Sequence, residues 1–306
     1  MDRFLAFDLG GTKVLGGWVS KNGEILEKKK EFIDLSHGPK AMVLQIAKMA
    51  ISLKGDAQVR SASMASAGPL DPKNGLLLDP TNMKTGGQSW GVIPLTQWLQ
   101  EETGLSWRLE NDAAAAAMAE SWVGESRGYE NSITITLGTG VGVGIIANGE
   151  LLRSGRGLHP EVSHMIIEHE NSSALCGCGN YGCAEAYLSG VNFSKLVSRR
   201  LNQTITAEEL LQKAESGDLR VREEFSIYAR RLAIFMTSLV VSFSPEVIVL
   251  AGGFSHAAPI YLDTLKYELH ELLKRRRAGI DLLPEVRLSR FKHEAGLLGA
   301  AKALIR

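Results

Sequence analysis

All three cysteines of the chain, Cys176, Cys178 and Cys183, fall within eight residues, in the run Cys-Gly-Cys-Gly-Asn-Tyr-Gly-Cys-Ala-Glu. A disulfide framework spreads an even number of cysteines along a chain, so a cluster of three points elsewhere. Thiolates this close, with glycines that let the backbone fold around a point, suit a soft tetrahedral cation such as zinc. Zinc requires a fourth ligand, and His159, His164 and His169 all lie just upstream. Glu161 and Glu185 flank the group. Their carboxylates can accept hydrogen bonds from a polyol, or simply face solvent.

A second set of residues suits phosphate. Asp8 closes a short apolar run and leads into Leu9-Gly10-Gly11-Thr12-Lys13, and a similar turn recurs at Gly138-Thr139-Gly140. Glycines allow backbone N–H groups to converge on an anion, and a threonine hydroxyl adds a donor. Lys13 adds charge, and Asp8 can hold Mg²⁺ directly or through water. Each turn taken singly also reads as an ordinary hairpin; two matching copies favour one ligand clamped between two lobes. No P-loop is present. The Gly-x-Gly-x-x-Gly at Gly177, Gly179 and Gly182 lies inside the cysteine cluster, without the strand–turn–helix context of a dinucleotide site.

The third set is Glu110-Asn111-Asp112, at the end of a strand predicted over 106–109, where a helix opens. Strand carboxyl ends are where α/β folds bind ligands. Asn111 offers a donor and an acceptor. Asp112 reads either as the base for an alcohol attacking a phosphoryl group or as the N-cap of the alanine-rich helix that follows.

The elements that must carry these groups come in two copies. In the first, strand 4–7, the glycine turn, strand 14–19 and the Asn22-Gly23 hairpin lead into Glu24-Ile25-Leu26. In the second, strand 132–137, the turn, strand 141–147 and Asn148-Gly149 lead into Glu150-Leu151-Leu152. Asn-Gly is a strong hairpin signal, and copies over a hundred residues apart indicate a duplicated domain. Helices are predicted over 39–53, 94–103 (Pro94 at the first position), 112–122, about 218–242, 258–277 and 294–306. A capping box begins at Thr206. Residues 246–250 read as a buried strand, stopped by Ala251-Gly252-Gly253.

The length of 306 residues suggests about two domains. Thirty-four basic residues balance thirty-four acidic ones, so no global charge favours nucleic acid or an anionic membrane. No basic segment followed by a long apolar run opens the chain. Residues 132–149 are uncharged but alternate Thr and Gly like strands, and 232–245 is too short to span a membrane. The expected setting is a reducing cytoplasm.

Together the motifs resemble the ROK family of bacterial sugar kinases, repressors and related reading frames, along most of the chain. Asp8-Leu-Gly-Gly-Thr-Lys13 and Leu137-Gly-Thr-Gly140 resemble its two phosphate motifs, and Ser66-Ala-Gly-Pro-Leu-Asp71 with Asp79-Pro-Thr-Asn82 its sugar-side segments. Glu110-Asn-Asp-Ala113 resembles the catalytic segment, Glu161-Val-Ser-His164 the Glu-x-Gly-His motif, and Cys176 to Glu185 the zinc signature. Ala251-Gly-Gly253 resembles the adenosine-side turn.

The resemblance implies an α/β chain with the two-lobed actin-like (RNase H-like) ATPase fold, duplicated lobes and a structural zinc loop. The expected lobes are 1–116 and 117–306, with helix 294–306 packing back on the first. It implies an ATP-dependent hexose kinase, with glucose first, fructose or an N-acetylhexosamine as alternatives, and a homodimeric state. By position, Asp112 is the general base. Gly68, Asn111, Glu161, His164 and Glu185 hold sugar hydroxyls. Asp8, Gly10, Gly11, Thr12, Lys13, Gly138, Thr139, Gly140, Gly252 and Gly253 line Mg²⁺·ATP. His164, Cys176, Cys178 and Cys183 bind zinc, His164 being chosen because it completes the Glu-x-x-His motif. Two departures stand out: Ser163 replaces a glycine, and Ala114 replaces an asparagine. His159-Pro160-Glu161 resembles the fructokinase branch.

Two other classes are disfavoured. A repressor of this family carries a helix-turn-helix domain ahead of the sugar-binding fold, and the phosphate strand here begins at Phe4. A nucleic-acid-binding zinc module needs basic residues, and none occurs between Leu158 and Ser194.

Overall fold

The computed structural model describes residues 3–80, 83–155, 158–170, 174–274 and 280–305. The chain divides into two compact units: Met1–Arg127 with Leu151–Pro160 and His293–Arg306, and Gly128–Glu150 with Glu161–Lys292.

In the first unit, β1 (Arg3–Leu9), β2 (Lys13–Ser20) and β3 (Ile25–Phe32) form the expected meander. Helix α1 (Gly38–Lys54) and β4 (Ser61–Ser66) follow. Five strands of two or three residues come next: β5 (Leu70–Asp71), β6 (Leu76–Leu78), β7 (Lys84–Thr85), β8 (Gln88–Ser89) and β9 (Val92–Ile93). Then come α2 (Leu95–Thr103), β10 (Ser106–Asn111) and α3 (Asp112–Val123). The main sheet runs β10–β4–β1–β2–β3. β1 is antiparallel to β2 and parallel to β4, and β4 is parallel to β10. Phe7, Trp18, Met42, Ile46 and Met64 are among the side chains that fill the core on the α1 side.

The second unit repeats this order. β11 (Ser132–Leu137) and β12 (Val141–Ala147) pair antiparallel, and β13 (Glu150–Leu151) closes the edge. After α4 (Ala184–Leu188), α5 (Gly190–Leu201), α6 (Ala207–Glu215) and α7 (Leu219–Phe243) come β14 (Val247–Ala251), α8 (Ala258–Leu273) and β15 (Glu285–Leu288). The sheet order is β13–β12–β11–β14–β15, with β14 parallel to both β11 and β15. Each unit therefore has an antiparallel meander whose first strand also starts a parallel series, which is the duplication the paired hairpins predict.

Helix α7 is long and apolar enough by composition to cross a membrane. Its Phe225, Tyr228, Leu232, Phe235, Met236 and Val240 are instead buried in protein. Phe225 and Tyr228 pack into a ring cluster with Phe193, Phe254 and Tyr261. The Thr206 capping box forms in full at α6.

Several boundaries differ from expectation. The division falls at Arg127/Gly128 rather than 116/117, because α3 belongs whole to the first unit, where it packs along the C-terminal helix Ala295–Lys302. That helix lies in the first unit, and the excursion Leu151–Pro160 returns there as well. Pro94 is the N-cap of α2, not its first helical residue. Helix α8 ends at Leu273 rather than 277; residues 275–279 lie outside the described residues, as do Thr81 and Asn82 of the Asp79–Asn82 motif.

Close approach accounts for the contact of α3 with the C-terminal helix. A Cβ built on Gly299 would lie 1.9 Å from the carbonyl oxygen of Ala115. With Ala113, Ala114, Ala115 and Ala116 buried opposite, the two backbones meet with almost nothing between them.

Candidate active site and metal centre

The parallel strands of the first unit end in register. Ser66 pairs with Leu9 on one side and Asn111 on the other. Asp8, the Gly10–Lys13 turn, Gly68, Asn111 and Asp112 therefore leave one edge of one sheet. The turn is closed by the Gly10 N–H donating to the Lys13 carbonyl at 2.9 Å.

Asn111, not Asp112, is the N-cap of α3. Its Oδ1 accepts the N–H groups of Ala113 at 2.8 Å and Ala114 at 3.1 Å. Asp112 is the first helical residue, has an exposed side chain, and takes the Ala113 N–H at 2.8 Å. The cap is thus supplied by Asn111 and not by Asp112. A Cβ on Gly68 would lie 3.6 Å from Asn111 Nδ2, so the loop after β4 meets the amide end of Asn111.

Asp8 is half-buried. Burial, with the negative charge of Asp112 added, pushes its pKa up to about 7 against the opposing pull of Lys13. The first turn of the C-terminal helix packs against its carboxyl, where a Cβ on Gly296 would lie 2.5 Å from Asp8 Cγ. Glycine at 296 leaves the space that the carboxyl fills.

Glu110 is buried, and Arg153 reaches it with both terminal nitrogens. Nη2 donates to Oε2 at 2.5 Å and Nη1 to Oε1 at 3.3 Å. Glu110 Oε1 also accepts the Asn111 N–H at 3.0 Å. The reading of motifs alone passes over Arg153 and Gly296. One signal for Arg153 is visible: the duplicated Asn-Gly-Glu-hairpins diverge there, with Glu27 in the first copy and Arg153 in the second.

In the second unit the Gly138–Gly140 turn follows β11, and Gly252-Gly253 follows β14, again at strand carboxyl ends. The Gly138 N–H donates to the Gly140 carbonyl at 3.0 Å.

The cysteine cluster forms in the same unit. One ligand atom from each of His164, Cys176, Cys178 and Cys183 lies within 4.8 Å of the others. All three cysteines are free thiols, with Cys178 and Cys183 sulfurs 3.7 Å apart. Of the three candidate histidines, His164 is the one in the group. Its Nδ1 faces Cys176 Sγ at 3.5 Å and its Nε2 faces Glu161 Oε2 at 3.8 Å. The thiols fold together because the Gly179 N–H donates to the Cys176 carbonyl and the Cys176 N–H to the Asn180 carbonyl. Burial pushes the Cys176 and Cys183 thiols up. For Cys178 burial acts the same way, but hydrogen bonds from the Asn180 backbone and the neighbouring thiols outweigh it and bring the thiol below its usual range. Three thiols and an imidazole nitrogen around one point are the donor set of a closed structural zinc site.

The ROK family matches residues 4–306, and the chain belongs to it. The chain is 30% identical to a beta-glucoside kinase of Listeria monocytogenes, over 97% of this chain and 96% of that one. Among solved structures it resembles a ROK hexokinase from Thermus thermophilus, with TM-score 0.85 and 31% identity over 98% and 97% of the two chains. It also resembles a ROK family glucokinase from Streptomyces griseus in complex with glucose and AMPPNP, with TM-score 0.80 and 28% identity over 99% of each chain. By these matches the chain sorts with the family's sugar kinases.

Proposed function

We propose that this chain, a sugar kinase of the ROK family, transfers the γ-phosphoryl group of ATP to a hexose hydroxyl in the cytoplasm, with glucose as the preferred acceptor. The observation that carries the reading is the arrangement at the edge of the first sheet. Asp112 stands at the start of α3 with the capping duty taken by Asn111, and Asp8 feels its charge.

In the reaction, Asp112 takes the proton of the attacking hydroxyl as that oxygen bonds to the γ-phosphorus. The bond from phosphorus to the bridging oxygen breaks, and ADP leaves with the electron pair. Gly68, Asn111, Glu161, His164 and Glu185 hold the sugar. Gly10, Gly11, Thr12, Lys13, Gly138, Thr139, Gly140, Gly252 and Gly253 line the nucleotide. Magnesium held by Asp8, directly or through water, supplies charge neutralisation of the phosphates when bound. His164, Cys176, Cys178 and Cys183 would hold zinc, which when bound would brace His164 so that its Nε2 side stays turned toward the sugar, as a supporting shell orients a ligand. The proposed state is a homodimer.

The test is ADP release measured over glucose, fructose, mannose, N-acetylglucosamine, N-acetylmannosamine and a β-glucoside. Glucose is expected to give the highest kcat/KM. A different sugar in first place replaces the proposed acceptor, and no sugar-dependent ADP from any of them defeats the reading.

A further inference from the structure

Glu185 lies in the first turn of α4, directly after the cap residue Cys183 and Ala184. Its two carboxylate oxygens face different structures. Oε2 accepts the backbone N–H of Val141 at 3.0 Å, the residue that follows the Gly138–Gly140 turn. Oε1 lies 3.5 Å from Cys176 Sγ, in the metal-ligand cluster. The fit against the turn is close: a Cβ on Gly140 would lie 2.8 Å from Oε2. The other end of the turn is tied to the same stretch of chain, because the Gly190 N–H donates to the Gly138 carbonyl at 2.8 Å. Both ends of the turn thus fasten to residues 185–190, a stretch that begins two residues after the cluster's Cys183.

We propose that Glu185 is a positioning residue for the nucleotide phosphates, carrying the order of the Cys/His cluster into the Gly138–Gly140 turn. The proposal rests on the kinase reading and deepens it. A glutamate that served the sugar alone needs neither contact. With the Val141 N–H accepted and Gly140 held against the carboxylate, the turn keeps one shape in which its N–H groups can face phosphate. Without Glu185, the turn must be ordered by the nucleotide itself, at a cost in affinity.

The experiment is ADP binding by calorimetry together with metal content by atomic absorption, on the full chain and on Glu185→Gln, Glu185→Ala, Gly140→Ala and the Glu185→Ala/Gly140→Ala pair. Loss of a charged acceptor from a backbone N–H is expected to weaken ADP about 10-fold in Glu185→Ala, with one metal per chain retained. Glu185→Gln is expected to recover most of that loss, since its amide oxygen still accepts the Val141 N–H. Gly140→Ala is expected to weaken ADP when residue 185 is Glu and to do little when it is Ala, the non-additivity of two groups in contact. Unchanged ADP affinity in Glu185→Ala, or equal losses from Gly140→Ala in both backgrounds, overturns the proposal alone. Failure of the unaltered protein to bind ADP overturns the kinase reading and the proposal with it.

Discussion

Arg153 grips the buried carboxylate of Glu110 with both terminal nitrogens, one residue ahead of Asn111 and two ahead of Asp112. The same carboxylate accepts the Asn111 N–H, so the pair fixes the backbone from which the cap and the proposed base project. Removing one partner of a buried pair strands the other charge. The Arg153 side chain is 40% exposed, so water relieves part of that penalty. Arg153→Met is expected to cost about 1–3 kcal/mol, below the range for fully enclosed pairs. The measurement is the urea midpoint. Arg153→Met/Glu110→Gln is expected to regain at least half of the loss, and a double variant no better than the single one rejects the pairing as the cause.

Asn111 and Asp112 are expected to fail in different ways. Asp112→Asn should lower kcat by about 10²–10⁴-fold, the range for a positioned base, with sugar binding and thermal stability close to unaltered. Asn111→Ala removes the helix cap and should cost about 0.5–2 kcal/mol of stability. Turnover of Asp112→Asn at the original rate removes it from the mechanism.

Asp8 makes a prediction about pH. Its folded pKa of about 7 lies above the ordinary carboxylate value of 3.8, so between these pH values the native state holds a proton that the unfolded chain has released. Native stability from this group is therefore greatest below pH 3.8 and falls as pH rises toward 7. In the proposed role of Asp8, Mg²⁺ binding needs the proton gone, so apparent Mg²⁺ affinity should rise about tenfold per pH unit up to about pH 7 and then level. Thermal shifts with and without Mg²⁺ from pH 5 to 8 measure both trends, and Asp8→Asn should flatten them. Identical pH profiles for Asp8→Asn and the unaltered protein exclude Asp8 as their source.

Gly299 offers a test of the helix contact. The extra methyl of Gly299→Ala meets the Ala115 carbonyl, a backbone atom with no rotamer to escape into. Overpacking of this kind costs about 1–3 kcal/mol, more than the gain in helix propensity of about 1 kcal/mol. A denaturation midpoint at or above that of the unaltered chain contradicts the close approach.

Cys178→Ser removes one of the four grouped ligands. Metal content is expected to fall from one per chain toward zero, with a lower melting temperature and weaker sugar binding. Loss of metal with unchanged sugar KM would show that the cluster does not brace His164.

What was legible in the chain was local. The two Asn-Gly hairpins, the Gly-Thr turns, the Thr206 capping box and the Cys176–Cys183 spacing each state their structure within about ten residues, so the duplication and the grouping of the thiols follow from them. The choice of Asn111 over Asp112 as cap was not legible, because both residue types cap well and a one-residue shift in the helix start decides the matter. Arg153 with Glu110, and Gly296 with Asp8, meet across long stretches of chain. Such contacts are set by how sheet and helix stack, and spacing along the sequence does not name the partner, even where the hairpin repeat marks Arg153 as different from Glu27.

The first unit is assembled from three separated pieces of chain, the last being His293–Arg306. During synthesis its meander, β4, β10 and α3 all leave the ribosome long before the helix that covers them. Buried Ala113–Ala117, and the space beside Asp8 that Gly296 occupies, wait uncovered while the whole second unit is made. The first unit therefore cannot be completed until the chain of the second has been made.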